Sequence, residues 1–202
     1  MLTEFSRKTP GKNPGLLVIS LSVILLLLVS HSGLEVNAQS YQDLEGDEIK
    51  ISTLEEGEYL VEVRGNARYI SEELEITGEE ADLNTLQQEL EFRGEVVTQA
   101  PDFYISADNL LYFLATEKAE FTGEAYVEFQ DFIARAEMVE YFMAEERALL
   151  TGQVEGTRAG DDFSAEEVEI DLAEETVDLR GDARIRIFDE EGELLNEDNT
   201  DD

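Results

Sequence analysis

The sequence predicts an all-β protein: an antiparallel sheet of repeated two-strand units, rolled into a jelly roll and preceded by an N-terminal signal helix. Three observations carry this. Gly65, Gly94, Gly123, Gly152 and Gly181 recur every 29 residues. The positions four before, two before and two after each glycine are apolar, from Val61, Val63 and Ala67 through to Val177, Leu179 and Ala183, and the residues between them are polar except Leu149. Each unit then carries a second apolar set, stepping by two, three and two. Self-similarity at this period means that every unit buries its apolar face against its neighbours. Strict alternation marks strands with one wet face.

In chain order, residues 1–38 read as a signal peptide. Arg7 and Lys8 precede an apolar run from Gly15 to Val29, and Val36-Asn37-Ala38 supplies the small residues that a signal peptidase accepts, so the mature chain is expected to begin at Gln39. The run lies near the lower limit for spanning a bilayer, which leaves a retained inner-membrane anchor as the alternative. The sheet domain is expected over 47–188. Its opening residues Ile49, Ile51, Tyr59 and Val61, and its closing residues Ala183, Ile185 and Ile187, are the expected edge strands, where main-chain pairing with a partner occurs.

Within the domain each repeat glycine is expected on the buried face in mid-strand, where a missing side chain permits a bend. The return strands present sets such as Ile105, Ala107, Leu110, Tyr112 and Leu114, then Ala134, Ala136, Val139, Tyr141 and Met143. Their three-residue step leaves one extra residue per strand, which predicts a β-bulge at Glu79, Asp108, Glu137 and Glu166 or a neighbour. Acidic turns such as Ala144-Glu145-Glu146-Arg147 separate the strands and favour up-and-down pairing over a parallel β-helix of one coil per repeat. Residues 189–202 are acidic, lack alternation and read as a disordered tail.

Composition narrows the chemistry. The formal charge is −35, and removal of residues 1–38 takes away three basic and two acidic residues, leaving −36. Such a surface repels nucleic acid and anionic membranes. Cysteine is absent and the single histidine, His31, lies in the signal segment. Ser-His-Asp and Cys-His catalysis and a histidine or cysteine zinc site are therefore excluded from the mature chain. The carboxylates fall in repeated outward and turn positions with no singular cluster, so no catalytic residue, metal or cofactor is assigned. A β-helical carbohydrate-active enzyme using two carboxylates is the alternative of another class. The Gly-Gly-x-Gly-x-Asp pattern of calcium β-rolls is missing.

The segments AEMVEYFMAEERALLTGQV, Ala136 to Val154, and AEEVEIDLAEETVDLRGDARI, Ala165 to Ile185, resemble the repeat of the OstA-like domain. Ser106-Ala107-Asp108-Asn109-Leu110-Leu111-Tyr112 carries the motif again, and Val63-Arg64-Gly65-Asn66-Ala67 resembles the opening of the domain. That family holds the LptA-type periplasmic lipopolysaccharide-transport proteins and the membrane-anchored LptC. The resemblance implies a non-enzymatic periplasmic protein whose apolar interior holds the acyl chains of lipopolysaccharide. Its implied partners are an inner-membrane export complex, an outer-membrane assembly protein and further copies joined head to tail. An anchored LptC-like component is the alternative within the same system.

Physical reasoning supplies the lining. An acyl chain of a dozen carbons costs on the order of 10 kcal/mol to leave in water, at about 0.8 kcal/mol per methylene. Inward Phe92, Ile105, Leu110, Tyr112, Phe121, Val139, Tyr141, Phe163 and Val168 are the expected lipid-binding residues. Arg64, Arg93 and Arg180 are the basic residues expected near the mouth to meet headgroup phosphate. Outward Phe113 and Phe142 are expected either under a loop or in an exposed partner patch.

Overall fold

The structure is a computed structural model and describes residues 42–188, apart from 72, 73 and 102. The expected signal peptide, 1–38, and the expected disordered tail, 189–202, lie outside the described residues. Twelve strands form one antiparallel sheet: β1 (Asp43–Glu45), β2 (Glu48–Thr53), β3 (Tyr59–Ile70), β4 (Glu75–Asn84), β5 (Glu89–Gln99), β6 (Phe103–Phe113), β7 (Lys118–Phe129), β8 (Phe132–Phe142), β9 (Arg147–Arg158), β10 (Asp161–Asp171), β11 (Thr176–Arg180) and β12 (Arg184–Arg186). From β3 to β10 each strand pairs with the next in a meander. β1 and β2 share the outer side of β3, and β11 and β12 share the outer side of β10. Antiparallel pairing throughout excludes the β-helix.

Every long strand is interrupted near its middle. Gly94 and Glu95 of β5 together face the single residue Asp108 of β6, and Gly123 and Glu124 of β7 face Asp108 on one side and Glu137 on the other. The bulges thus fall where the sequence expects them, but the extra residue belongs to the glycine strand rather than to the acidic position. Both residues of such a pair take positive φ, +84° for Gly123 and +45° for Glu124. This left-handed pair tolerates a side chain at a cost of about 1–2 kcal/mol per residue, and glycine removes half of that cost.

The glycine faces outward, which corrects the sequence expectation. A Cβ built on Gly123 would sit 2.7 Å from Cβ of Asp108, an exposed carboxylate, and one on Gly152 would sit 2.7 Å from Cβ of Glu137. Repeated in register, these bulges form a crease across the sheet. One half-sheet holds β2, β11 and the strand halves that meet at the turns 85–88, 114–117, 143–146 and 172–175. The other holds β1, β12 and the halves that meet at the opposite turns.

The crease folds the halves towards each other. Phe103 and Tyr112 lie at opposite ends of β6, about 30 Å apart along a strand, and Tyr112 is in register with Ala119 and so with Tyr141. Even so, the Phe103 and Tyr141 rings meet edge to face at 5.3 Å. The inner faces merge into one apolar core whose largest fully buried side chains are Phe92, Phe121 and Phe132. Each such side chain contributes about 1.5–3 kcal/mol on burial.

Candidate functional site

Among the described residues the repeats gather their buried apolar side chains into one cluster on the inner face. Phe92, Leu110, Phe121, Val139 and Val168 are buried to within about 1% of completely, and Ile105 and Phe163 are also buried. Tyr112 and Tyr141 are half-buried against the same core. The fold therefore brings all nine expected lining residues onto one surface.

Sequence reasoning missed several others. The column four residues after each glycine, Tyr69, Thr98, Val127 and Gly156, also lies on the inner face, while its last member, Ile185, pairs with Phe163 but is exposed. Phe132 is fully buried and stacks on Phe163 with ring centroids 5.3 Å apart. Gly156 makes room for that pair, since a Cβ there would come within 2.6 Å of the Phe163 ring. The signal was present: Leu74, Phe103 and Phe132 follow the same 29-residue period.

The interior is filled. Where the half-sheets diverge near β1, Leu44, Tyr59, Val61, Tyr69, Leu83, Leu90 and Leu114 surround an apolar pocket of about 30 Å³. That is room for a water molecule, not for an acyl chain. Burial, with Tyr112 beside it, pushes the Tyr69 phenol up to about 12, so it stays neutral in this wall. Thr98 is buried as well, and its Oγ1 has no hydrogen-bond partner among the described residues.

Along the side of the molecule opposite the crease, two rows of turns approach each other and define a seam. Tyr59, Leu114, Met143 and Leu172 border it from one half-sheet and Leu74 and Phe103 from the other, all half-buried apolar residues packed on the core. The Phe103–Tyr141 contact bridges the seam. Arg158, at the tip of β9, bridges it again by donating a hydrogen bond to the Glu175 carbonyl at 2.8 Å.

The outer faces carry charge, and the expected headgroup arginines lie there instead of at the seam. Arg64 pairs with Glu62, Glu80 and Asp82, the last at 2.7 Å. Arg93 pairs with Glu80, Asp82 and Glu91, and Arg180 with Glu167, Glu169 and Asp178. Arg64 and Arg93 alternate along their strands with buried Val63 and Phe92, Arg180 with partly buried Leu179, and each guanidinium already faces three carboxylates. The hydrogen bond to Asp82 is the main cause holding the Arg64 and Arg93 guanidinium groups above their ordinary value. Phe113 and Phe142 meet neither expectation. Lys118 Nζ stands 6.0 Å and 5.3 Å from their ring centroids, and Arg147 covers Phe142 at 4.3 Å.

At the edges, Ile49 and Ile51 lie on β2, with Ile51 half exposed. Tyr59 and Val61 do not form an edge: both sit on β3, which is paired on one side with β2 and on the other with β4. At the far end Ala183 precedes β12, Ile185 lies on it at 58% exposure, and Ile187 follows it at 46%. Among the described residues no group of three or more His, Cys, Asp or Glu is arranged to hold a metal ion.

A family model described as LptA/(LptD N-terminal domain) LPS transport protein matches residues 38–176. The chain belongs to this family. No curated protein matches this LptA/LptD-type chain. Among solved structures it resembles the crystal structure of LptH, the LptA homologous periplasmic component of the conserved lipopolysaccharide transport device from Pseudomonas aeruginosa. The TM-score is 0.54 over 57% of this chain and 95% of that one, at 18% identity. At that identity the likeness shows a shared LptA-type fold, the unclosed curled sheet described above.

Proposed function

We propose that this LptA-type chain binds lipopolysaccharide in the periplasm and relays it between the inner and outer membranes, with the acyl chains between the two half-sheets. One observation carries the reading: a single apolar surface runs unbroken across a sheet that never closes on itself. A closed barrel would seal such a surface, whereas an unclosed sheet can exchange side-chain contacts for hydrocarbon. The role is non-enzymatic, and the exported, cleaved form starts at Gln39. Amino-terminal sequencing of the exported protein checks this, since an intact segment before Gln39 would assign an anchored, LptC-like component.

The ends supply the bridge. From β1 to β2 the first edge carries Asp43, Glu45, Asp47 and Glu48 against Lys50, whereas from β11 to β12 the opposite edge carries Arg180, Arg184 and Arg186 against Asp178 and Asp182. An acidic first edge and a basic last edge favour head-to-tail pairing of copies, and docking to the inner-membrane and outer-membrane components at the two ends. A photocrosslinking residue at Phe121 or Tyr141, in cells making labelled lipopolysaccharide, is expected to yield a lipid adduct. Absence of adduct at every inward position would overturn the reading.

A further inference from the structure

We propose that the joint between two copies of this chain has a single frame, and that Lys50 of one copy and Asp178 of the other are the residues that select it. The proposal rests on the head-to-tail pairing read above and adds to it the register and its determinants.

The sheet supplies the frame. In its interior, the residue after each acidic crease position lies between the residues that precede two glycines: Glu80 between Arg64 and Arg93, Asn109 between Arg93 and Thr122, Met138 between Thr122 and Thr151, and Glu167 between Thr151 and Arg180. Glu48 holds the same position in β2 but faces Arg64 on one side only, and Arg180 in β11 faces Glu167 on one side only. Across the crease the rule repeats. Ser106 lies between Val97 and Tyr126, whereas Glu45 faces only Arg68 and Arg184 faces only Ser164. Neighbouring strands alternate in direction, so the last edge of one copy meets the first edge of the next antiparallel. Continuing the ladder over the joint sets Arg180 opposite Glu48 of the next copy, and Arg184 opposite its Glu45.

The remaining residues of the two edges then match. On the outer face Asp178 meets Lys50 and Arg186 meets Asp43, so every facing pair of charges on the strands is of opposite sign. On the inner face Leu179 meets Ile49, Val177 meets Ile51, and Ile185 meets Leu44, which gives exposed Ile51 and Ile185 apolar partners. The same cross-strand ion pairs already form within one copy, Arg180 with Glu167 at 2.9 Å and Arg68 with Glu45 at 3.5 Å. Arg184 and Arg186 are exposed and form no ion pair with another described residue. Asp182 falls beside Asp47 of the next copy, a like-charge contact that the crease repeats inside the sheet where Glu95 adjoins Glu79.

Lys50 and Asp178 each run against the prevailing sign of their own edge, and this makes the frame selective. Sliding the next copy by two residues sets Arg180 on Lys50 in one direction and Asp178 on Glu48 in the other, like on like in both cases. A slip of one residue turns the inner side chains outward. Pairing two first edges would crowd Asp43, Glu45 and Glu48 against their own kind. The main chain supplies the attraction, and the charges reject the wrong partners.

The chain contains no cysteine, so the frame can be read by cross-linking the full exported chain without lipid. A copy carrying Val177→Cys, mixed with one carrying Ile51→Cys and oxidised, is expected to give a disulfide-linked dimer at least tenfold faster than when mixed with Ile49→Cys or Thr53→Cys, because diagonal neighbours stand too far apart for a disulfide. Sedimentation at low salt supplies the charge test. Lys50→Glu and Asp178→Lys singly are each expected to weaken self-association at least fivefold with unchanged melting temperature, and the two together in one chain to restore it to within about twofold. Equal cross-linking at the three positions, or no recovery in the double variant, overturns the frame alone. A wild-type chain that stays monomeric at every concentration overturns the joint between copies as well, whereas the lipid-binding reading stands or falls on its own adduct test.

Discussion

Asp108 lies directly over Gly123: a methyl group in place of the glycine hydrogen would stand 2.7 Å from the Asp108 Cβ. The same carboxylate-on-glycine relationship joins Glu79 to Gly94, Glu137 to Gly152 and Glu166 to Gly181. The crease therefore depends on glycine for two reasons, its positive φ and the closeness of the neighbouring strand.

The two reasons are separable. Gly123→Ala is expected to destabilise the domain by about 3 kcal/mol, combining the left-handed penalty with overpacking. Gly160 has φ +95° but nothing within 4 Å of a built Cβ, so Gly160→Ala should cost about 1 kcal/mol. Urea denaturation midpoints compare the two, and equal losses would show that the overlap with Asp108 is relieved without cost.

Phe132→Ala removes a fully buried ring and its stack on Phe163. A loss of about 3–5 kcal/mol is expected. Gly156, which leaves the space the ring pair occupies, cannot refill the cavity, and the same denaturation series measures the effect.

Asp82 is bonded by Arg64 and Arg93. Burial alone would raise its pKa, but the two guanidinium groups outweigh burial and hold the carboxyl below its ordinary range. A depressed folded-state pKa contributes stability that is present above the unfolded value and lost as pH falls through the folded one. Acidification below about pH 4 should therefore destabilise wild type more steeply than Asp82→Asn. The comparison between the two chains matters because protonation elsewhere relieves the self-repulsion of a chain with charge −35. Parallel acid limbs in thermal melts would contradict the assignment.

Ile185→Pro alters a strand paired on one side only, with β10. It is expected to weaken association with partners or further copies while leaving the melting temperature of the isolated domain within a few degrees. Sedimentation of the variant, alone and mixed with partner components, provides the check.

Much of this architecture is readable from the columns around Gly65 to Gly181, because a half-buried strand must alternate and a repeat must stack. The facing of those glycines is not. Val63 and Ala67 both point inward, so counting by twos puts Gly65 inward as well. The left-handed pair Gly65-Asn66 rotates the chain locally and turns the glycine to Asp47, then returns it to the same phase. The column through Tyr69, Thr98, Val127, Gly156 and Ile185 is obscured because a hydroxyl and a glycine interrupt its apolar character. The seam contacts were illegible for a different reason. Phe103 and Tyr141 sit at opposite ends of their strands, and only the angle of the crease brings them together.

Carboxylate-bearing and glycine-bearing strands strictly take turns across the sheet, beginning with Asp47 between β1 and β2 and finishing with Gly181 between β11 and β12. The two termini of the sheet are consequently of opposite kind, and an even number of strand equivalents preserves that polarity. Splicing in or excising one whole 29-residue module would change the reach of the molecule while leaving both of its joints unaltered, whereas loss of a lone strand would leave it with two ends of the same sex.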